Sequence, residues 1–277
     1  MTVKIVTDSS SDLPLKVVKE LGITVVPLWV RFGDKSFRDG VDIDPDTFYD
    51  MLTKSRDLPV TAAPSPGAFA EAYQSLSKET GEIVSIHISS KLSGTRDAAQ
   101  MGKGEVKTKC RIEVIDSTQV TMALGLITIA AAKAAKAGAT ADEIVKLVNS
   151  SASNVFLAGL LDSLHYLEKG GRIGKAQAWM GSVLSIKPIV SVAGGEVVPL
   201  ERVRTRSKAV ERLYQMADGH LPAKEISVVY STGAAEAEKL LEHLKKAAPG
   251  QDVYLARFGA VLGTYVGPDS IGIATLK

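Results

Sequence analysis

Short runs rich in β-branched residues alternate along this chain with segments whose apolar residues recur every three or four positions. The first pattern is typical of strands and the second of helices. The predicted strands span 3–7, 23–30, 82–88, 111–116, 155–160, 189–192, 196–203, 225–230 and 252–257. The predicted helices span 12–21, 45–54, 66–78, 97–102, 119–137, 164–168, 175–185, 207–217 and 234–248, and another begins after Thr140. This alternation indicates an α/β fold, with a mostly parallel sheet in the N-terminal part and helices on its faces.

The serine-rich segment 150–154 marks a change in pattern and is the predicted boundary between two α/β domains. The N-terminal domain, 1–152, carries hydroxyl-rich loops, and the C-terminal domain, 153–277, carries an arginine-bearing face. Within the second domain, Gly194 and Gly195 separate two predicted strands and indicate a hairpin. A ligand cleft or tunnel is expected between the two domains, because such interfaces commonly hold small-molecule sites.

The charge balance and the cysteine content narrow the range of functions. Lys plus Arg number 33 and Asp plus Glu number 31, and this near balance disfavours a dedicated nucleic-acid surface. The single cysteine, Cys110, excludes a disulfide within the chain and a cysteine zinc site. The first residues have the pattern of a strand rather than of a signal peptide, and the longest apolar stretch, 122–132, is too short to span a bilayer. The expected location is the cytoplasm, and transient contact with a membrane surface stays open.

The most informative pattern lies in the segment 83–96. An apolar strand stops there at a group of hydroxyl side chains with one glycine, and a helix-compatible segment follows. The group comprises Ser89, Ser90, Ser93, Gly94 and Thr95. The first turn of a helix carries unpaired N–H groups and a partial positive charge, so this corner suits a carboxylate or a phosphate. The alternative is that Ser93 or Thr95 only caps the helix.

Three other hydroxyl-bearing loops lie at the ends of predicted elements: 8–12, the proline-bracketed loop 61–67, and 116–117. Because loops at the carboxyl ends of parallel strands gather at one edge of a sheet, these loops predict a single polar rim. The alternative is a structural role in capping helices and in joining neighbouring loops. For 8–12 the structural role is favoured.

Two further segments carry arginines in place of the hydroxyls found in these loops. Arg172 lies among three glycines in 170–174, which allows a close approach to another surface. Arg202, Arg204 and Arg206 are spaced by two, so in a strand all three would lie on one face. Arginine suits carboxylate and phosphate groups because its planar guanidinium donates hydrogen bonds in pairs. The alternative is a solvated edge of the protein with surface salt bridges.

Taken in order, these motifs resemble those of the DegV family of bacterial fatty-acid-binding proteins. The matching segments are 7–14, 61–67, 89–95, 116–117, 171–174, 184–189, 202–206 and 267–272. They occur in the order found in the family and are distributed over nearly the whole chain. Each motif alone is a weak signal, but the ordered set is specific. The resemblance implies a two-domain α/β protein that buries one long acyl chain.

The resemblance implies that the carboxylate of the fatty acid lies near the domain interface. The hydroxyls that match Thr61 and Ser93 would hold it, with Gly94, Thr95 and Tyr265 as further contacts. The family commonly has a histidine before its terminal Val-Gly-Pro-Gly, and this chain has Tyr265 there. Tyrosine still donates a hydrogen bond, but it does not share a proton near neutral pH.

The resemblance also implies a partner protein. Some members of the family present the bound fatty acid to a separate ATP-dependent kinase, which phosphorylates the carboxylate to an acyl phosphate. Arg172 and Arg204 match family arginines used in docking or in head-group chemistry. The chain would then be a carrier, the non-catalytic subunit of a fatty acid kinase, with no cofactor besides its bound fatty acid. Asp269 is a second departure from the family, since it adds a charge where glycine is usual.

Two other functions stay open from the sequence. A serine-dependent enzyme for acyl or phosphoryl transfer would use Ser93 as its nucleophile. The familiar catalytic motifs are mostly missing, however, and only His87 in the preceding strand offers a base. A sensor of a small anionic metabolite would need a short, wet cleft in place of a long apolar cavity.

Overall fold

The computed structural model describes residues 2–179 and 186–277. The predicted helix 175–185 extends beyond these ranges, and so does the family-like segment 184–189. The part of that helix that is described forms a 3-10 helix, Gly174–Trp179. Another 3-10 helix, Ser9–Ser11, follows the first strand.

Strands and helices alternate along the chain, as the apolar pattern predicts. The strands are β1 Lys4–Asp8, β2 Thr24–Val26, β3 Trp29–Phe32, β4 Lys35–Arg38, β5 Val60–Ala62, β6 Glu82–His87, β7 Arg111–Asp116, β8 Val155–Leu160, β9 Lys187–Ala193, β10 Glu196–Val203, β11 Glu225–Tyr230, β12 Val253–Arg257 and β13 Ile271–Leu276. The helices are α1 Leu15–Leu21, α2 Pro45–Lys54, α3 Pro66–Leu76, α4 Thr95–Glu105, α5 Thr121–Lys136, α6 Ala141–Asn154, α7 His165–Lys169, α8 Arg206–Asp218, α9 Ala234–Ala247 and α10 Ala260–Val266. Within the described ranges, no helix has the length and apolar composition that crossing a membrane requires.

The first sheet confirms the predicted α/β fold. Its strand order is β2–β1–β6–β7, and every pairing in it is parallel. Parallel strands are covered on both faces, which explains their nearly continuous runs of Val and Ile. One face packs on α3 and α4 through side chains such as Phe69, Tyr73 and Ala99. The other face packs on α5 and α6.

The second sheet has the order β10–β9–β8–β13–β11–β12. Its pairings are antiparallel, except that β11 and β12 run parallel. The predicted hairpin is confirmed, since a turn at Gly194 and Gly195 joins β9 to β10. One face of this sheet packs on α8 and α9. The opposite face points toward α5 and the first sheet.

Helix α5 is buried almost all round because it lies between the two sheets. It contacts β1 and β6 on one side and β8, β11 and β13 on the other. No charged residue interrupts its sequence before Lys133, and helices that are apolar on every side belong in protein interiors. Gly125 allows a close approach to a neighbouring segment, since a Cβ there would lie 2.8 Å from the carbonyl oxygen of Ser11. A single apolar cluster thereby extends from the first half of the chain into the second.

The strand predicted over 23–30 is wrong as one element, because Pro27 divides it. Strand β2 ends before this proline and belongs to the parallel sheet. Strand β3 begins after it and pairs with β4 and β5 in a separate, small antiparallel sheet. Proline has no N–H to donate to a ladder, so the chain changes sheets at this point.

The loop predicted over 61–67 begins inside a strand, since Thr61 lies in β5. Val60 and Ala62 on either side of it are exposed, whereas Thr61 is half-buried. Side chains alternate across a strand, so Thr61 faces inward while its two neighbours face solvent. The small sheet therefore presents this hydroxyl to the interior of the protein.

The helix predicted over 12–21 begins later, at Leu15. Asp12 has left-handed backbone (φ 50°) and ends the 3-10 helix instead of opening α1. At the other end of the chain, α10 and β13 were not predicted. Strand β13 is nevertheless central in the second sheet, between β8 and β11.

The serine-rich segment 150–154 forms the end of α6, and β8 begins directly at Val155. The change in pattern therefore falls where the chain passes from the helices of the first sheet to the first strand of the second sheet. The division into domains 1–152 and 153–277 stays a prediction.

Candidate ligand-binding cavity

An apolar cavity lies between the second sheet and the N-terminal half of the chain. The cavity and its opening to solvent together hold about 1030 Å³ of empty space. Both halves of the chain contribute to its wall. The apolar lining includes Leu28, Ile88, Leu92, Val120, Leu157, Leu161, Leu167, Val190, Val192, Val197, Phe258, Val261, Leu262 and Val266. A wall of this kind favours the uptake of an apolar chain.

Polar groups gather at one part of the cavity wall, here called the polar end. The polar end comprises Thr61, Ser93, Gly94, Arg172 and Tyr265, all of which line the cavity. They come from β5, from the loop before α4, from the segment after α7 and from α10. The sequence motifs that carry them are far apart in the chain, and the fold brings them together.

Two hydroxyls meet across the polar end. Thr61 Oγ1 and Tyr265 Oη are 2.5 Å apart, and either atom is able to donate. Both side chains are half-buried. One of the two hydroxyls donates to the other, and the second keeps its proton for another acceptor. The pair thus leaves a hydrogen-bond donor at the cavity wall.

Ser93 and Thr95 form a second pair of hydroxyls, with Ser93 Oγ 2.8 Å from Thr95 Oγ1. Thr95 is fully buried as the first residue of α4 and is not among the described residues that line the cavity. Gly94 is the N-cap residue of α4 and supplies no capping side chain. The first-turn N–H groups of this helix therefore stand beside the Ser93 hydroxyl, which is the arrangement that favours an anion.

The loop between β6 and α4 is held in place by contacts with the C-terminal half of the chain. Ser89 Oγ donates to the carbonyl oxygen of Gly195 at 2.9 Å, and Arg172 Nε donates to that of Leu92 at 3.2 Å. Lys91 adds an ion pair to Glu196 at 3.1 Å. The polar end is therefore built on a loop that the hairpin between β9 and β10 fixes in place.

Within the polar end, Arg172 packs on Tyr265. Its guanidinium lies over the ring of Tyr265, with 5.3 Å between Cζ and the ring centroid. Its Nη1 donates to the carbonyl oxygen of Gly170 at 2.8 Å. Gly170 itself leaves the room for this ring, since a Cβ there would lie 2.5 Å from Tyr265.

The expectation that three arginines share one strand face is wrong, because β10 ends at Val203. Arg202 lies over the ring of Trp179, with 5.4 Å between Cζ and the centroid. Arg206 opens α8 and pairs with Glu236. Arg204 is exposed and does not belong to the cavity lining within the described residues.

Asp269 is turned away from the polar end. Its carboxylate accepts a hydrogen bond from Thr232 Oγ1 at 2.9 Å, in the loop between β11 and α9. The extra charge at this position therefore has a partner outside the cavity.

A Ser–His–Asp arrangement occurs in the first sheet, and sequence reasoning missed it. His87 Nδ1 lies 2.9 Å from Asp8 Oδ2, and His87 Nε2 lies 2.7 Å from Ser85 Oγ. Tyr73 donates to Ser85 Oγ at 2.8 Å, and Asp8 also accepts from the N–H of Ile88 at 3.1 Å. We call Asp8, Tyr73, Ser85 and His87 the buried network.

No side chain of the buried network is accessible to solvent, and none belongs to the described lining of the cavity. The structural role favoured for the loop 8–12 is confirmed, since Asp8 joins β1 to the loop after β6. An enzyme that used Ser93 as its nucleophile would need a base beside it, but His87 is hydrogen-bonded to Asp8 and Ser85 instead. The sequence signal for this network was the alternation of Ser85 and His87 on one face of β6.

Two buried carboxylates hold the start of α10, the helix that carries Tyr265. Asp12 Oδ1 accepts from the N–H of Gly259 at 2.9 Å, and Asp39 Oδ1 accepts from that of Ala260 at 2.8 Å. Burial raises the pKa of Asp39 to about 6 against the hydrogen bonds that lower it. Burial also raises the pKa of Asp12, although Thr121 Oγ1 donates to it at 2.6 Å. Asp39 was not singled out from the sequence, because it is one of several aspartates in the segment 34–46 and nothing local distinguishes it from the others.

Comparison with known proteins places this chain in a family. The family model for DegV, described as an uncharacterised protein family, matches residues 2–277. A DegV domain-containing protein of Streptomyces coelicolor is 39% identical over 98% of this chain and 97% of the relative.

Solved structures agree with this assignment over the whole chain. A fatty-acid-binding DegV family protein from Thermus thermophilus superposes with a TM-score of 0.92 at 29% identity and covers 100% of both chains. DegV from Bacillus subtilis, described as a fatty acid binding protein, superposes with a TM-score of 0.90 at 32% identity, again over 100% of both chains. The chain belongs to the DegV family.

Proposed function

We propose that this protein binds one long-chain fatty acid and acts as its carrier. The acyl chain occupies the apolar cavity, and the carboxylate lies at Thr61, Ser93, Gly94 and Tyr265, with Thr95 acting through its hydrogen bond to Ser93. The observation that carries this proposal is the form of the cavity, whose apolar wall ends at two pairs of hydroxyls beside a helix N-terminus. The fatty acid binding described for the Thermus thermophilus and Bacillus subtilis proteins supports it.

The energetics of this arrangement favour a long chain. Each buried methylene contributes about 0.8 kcal/mol before the costs of binding. The carboxylate gives up water but gains charge-assisted hydrogen bonds and the partial positive charge of α4. Tyr265 supplies a hydroxyl where the family commonly has an imidazole, so the head-group contacts do not depend on protonating a histidine.

The same observations favour a carrier over an enzyme. The described partner of the Ser93 hydroxyl is Thr95, and His87 bonds to Ser85 and Asp8. A nucleophilic serine needs a base within hydrogen-bond reach. An extended apolar cavity likewise disfavours the sensor of a small anion. We therefore assign no catalytic residue to this chain.

The finer part of the proposal concerns the partner. We propose that, in the cytoplasm, the loaded protein presents the carboxylate to a separate ATP-dependent kinase, with Arg172 and Arg204 as docking or head-group residues. Arg172 supports this assignment because it lies at the polar end and remains exposed. Arg204 supports it as an exposed cation with no carboxylate partner among the described residues. Both cations would attract an anionic nucleotide complex.

Uptake of labelled palmitate by delipidated protein tests the binding proposal. Ser93→Ala should weaken binding roughly tenfold or more, because a hydrogen bond to a charged group is lost. Ser90→Ala is the matched control, since Ser90 is an exposed serine of the same loop outside the described cavity lining. Equal affinities for the two variants would contradict the assigned role of Ser93.

Hydroxylamine trapping tests the kinase proposal. Loaded protein is mixed with ATP and a bacterial fatty acid kinase, and any acyl phosphate is converted to a hydroxamate. Arg204→Ala should lower the rate of hydroxamate formation and leave palmitate retention unchanged. An unchanged rate would remove Arg204 from the docking surface.

A further inference from the structure

The floor of the cavity contains a row of residues that crosses the second sheet. Gly159 of β8 pairs with Val190 of β9 on one side and with Gly272 of β13 on the other. Gly272 pairs in turn with Val229 of β11. Paired residues share a face of the sheet, so the row runs valine, glycine, glycine, valine. Both glycines line the cavity.

The backbone does not require glycine at position 159. Neither Gly159 nor Gly272 has the positive φ that favours glycine. Glycine inside a strand weakens it, and it often marks a place where another molecule approaches the backbone. What glycine contributes here is therefore the absence of a side chain, which leaves room in the cavity above the backbone.

The two glycines differ in the space around them. A Cβ built on Gly159 meets no atom closer than 3.9 Å, and that atom belongs to Val190. A Cβ on Gly272 would lie 3.1 Å from the carbonyl oxygen of Ala158 and 3.2 Å from Val229. Position 159 therefore has room for a Cβ in ordinary van der Waals contact with Val190, whereas a Cβ at position 272 would crowd the neighbouring strands.

Larger side chains flank this gap along β8. Leu157 and Leu161 lie two residues before and after Gly159, on the same face, and both line the cavity. Residues two apart in a strand are separated by about 6.6 Å. Along β8 the floor therefore has a leucine, a glycine and a leucine in succession, and Gly272 of the neighbouring strand lies beside that glycine without a side chain of its own.

We propose that Gly159 and Gly272 form a groove that receives the acyl chain, and that the side chain at position 159 determines how long a chain the cavity accepts. This inference rests on the proposed fatty acid binding and extends it to specificity. A side chain at 159 would occupy the gap between the two leucines. Long acids would lose contacts that short acids do not make.

Gly159→Val tests the groove, and dissociation constants for laurate, myristate, palmitate and stearate measure it. The variant should lose affinity progressively with chain length, by about fourfold for each methylene that it excludes. Gly159→Ala should show the same trend with a smaller loss. Laurate binding and the thermal unfolding midpoint report whether each variant is folded.

Gly81→Val is the matched control, because Gly81 is exposed and a Cβ there meets nothing within 4 Å. Its affinities should equal those of the wild type at every chain length. An unchanged profile for Gly159→Val, or an equal loss for all four acids, would overturn the groove while leaving fatty acid binding intact. A wild-type protein that binds none of the four acids would overturn the proposed function as well.

Discussion

The buried network and the polar end both contain hydroxyls from the N-terminal half of the chain, yet they have different roles. In the buried network every side chain is inaccessible, and each bonds to another member of the network. At the polar end the hydroxyls are half-buried and face an apolar cavity. A Ser–His–Asp arrangement alone therefore does not mark a reactive site, whereas donors that face an accessible cavity mark a binding site.

Removing a carboxylate from the buried network should produce the largest effect on stability. Asp8→Ala leaves His87 and the N–H of Ile88 without their acceptor in the interior. Such a loss costs on the order of 3 kcal/mol in the free energy of unfolding. Urea unfolding measures it.

Asp50→Ala is a suitable control, since Asp50 is an exposed carboxylate that pairs with Lys54 on α2. The control should leave the free energy of unfolding nearly unchanged. If Asp8→Ala proved as stable as this control, the buried network would lose its structural assignment.

Stability should also decrease as the pH rises, because of the carboxylates that hold α10. The pKa of Asp39 is raised from 3.8 to about 6 in the folded protein. Between these values the folded state binds more protons than the unfolded state, so the stabilisation is complete below the lower value and is lost as the pH rises through about 6. A shift of this size corresponds to roughly 3 kcal/mol.

Urea unfolding at a series of pH values measures this dependence. Asp39→Asn keeps an acceptor for Ala260 but removes the titration, so the part of the slope that Asp39 contributes should disappear. A slope that Asp39→Asn leaves unchanged would contradict the assignment. The result would show whether the contact between α10 and the N-terminal half weakens when the Asp39 carboxyl loses its proton.

A single hydroxyl at the polar end should have the smallest effect, and it should act on binding rather than on stability. Tyr265→Phe keeps the ring under Arg172 and removes the atom that bonds to Thr61. Palmitate affinity should fall about fivefold, as expected for one hydrogen bond of ordinary strength.

Tyr230→Phe provides the matched control for this change. The ring of Tyr230 also lies 5.3 Å from an arginine, Arg257, but outside the described cavity lining. The two variants should differ in palmitate affinity and agree in thermal stability. An equal affinity for both would mean that Tyr265 acts through its ring alone.

The apolar pattern predicted most of the fold because long runs with one periodicity decide the type of element. It failed where a local feature changed the path, as at Pro27, where one predicted strand became two strands in different sheets. It also missed β13, although this strand is central in its sheet. Pairing between distant strands depends on contacts that a local pattern does not contain.

The residues of the polar end were named from the sequence, but their arrangement was not. Thr61 was expected in a loop and lies in a strand, where alternation directs it inward. The hydrogen bond between Thr61 and Tyr265 joins positions 204 residues apart. Asp39 and the triad-like geometry around His87 were missed, because single polar residues carry no local signal of what they contact in three dimensions.

Denaturing extraction of the purified protein, followed by mass spectrometry of the organic phase, tests the central claim most directly. The account predicts an equimolar long-chain fatty acid in the extract. An empty extract, together with no uptake of added palmitate or oleate, would contradict it.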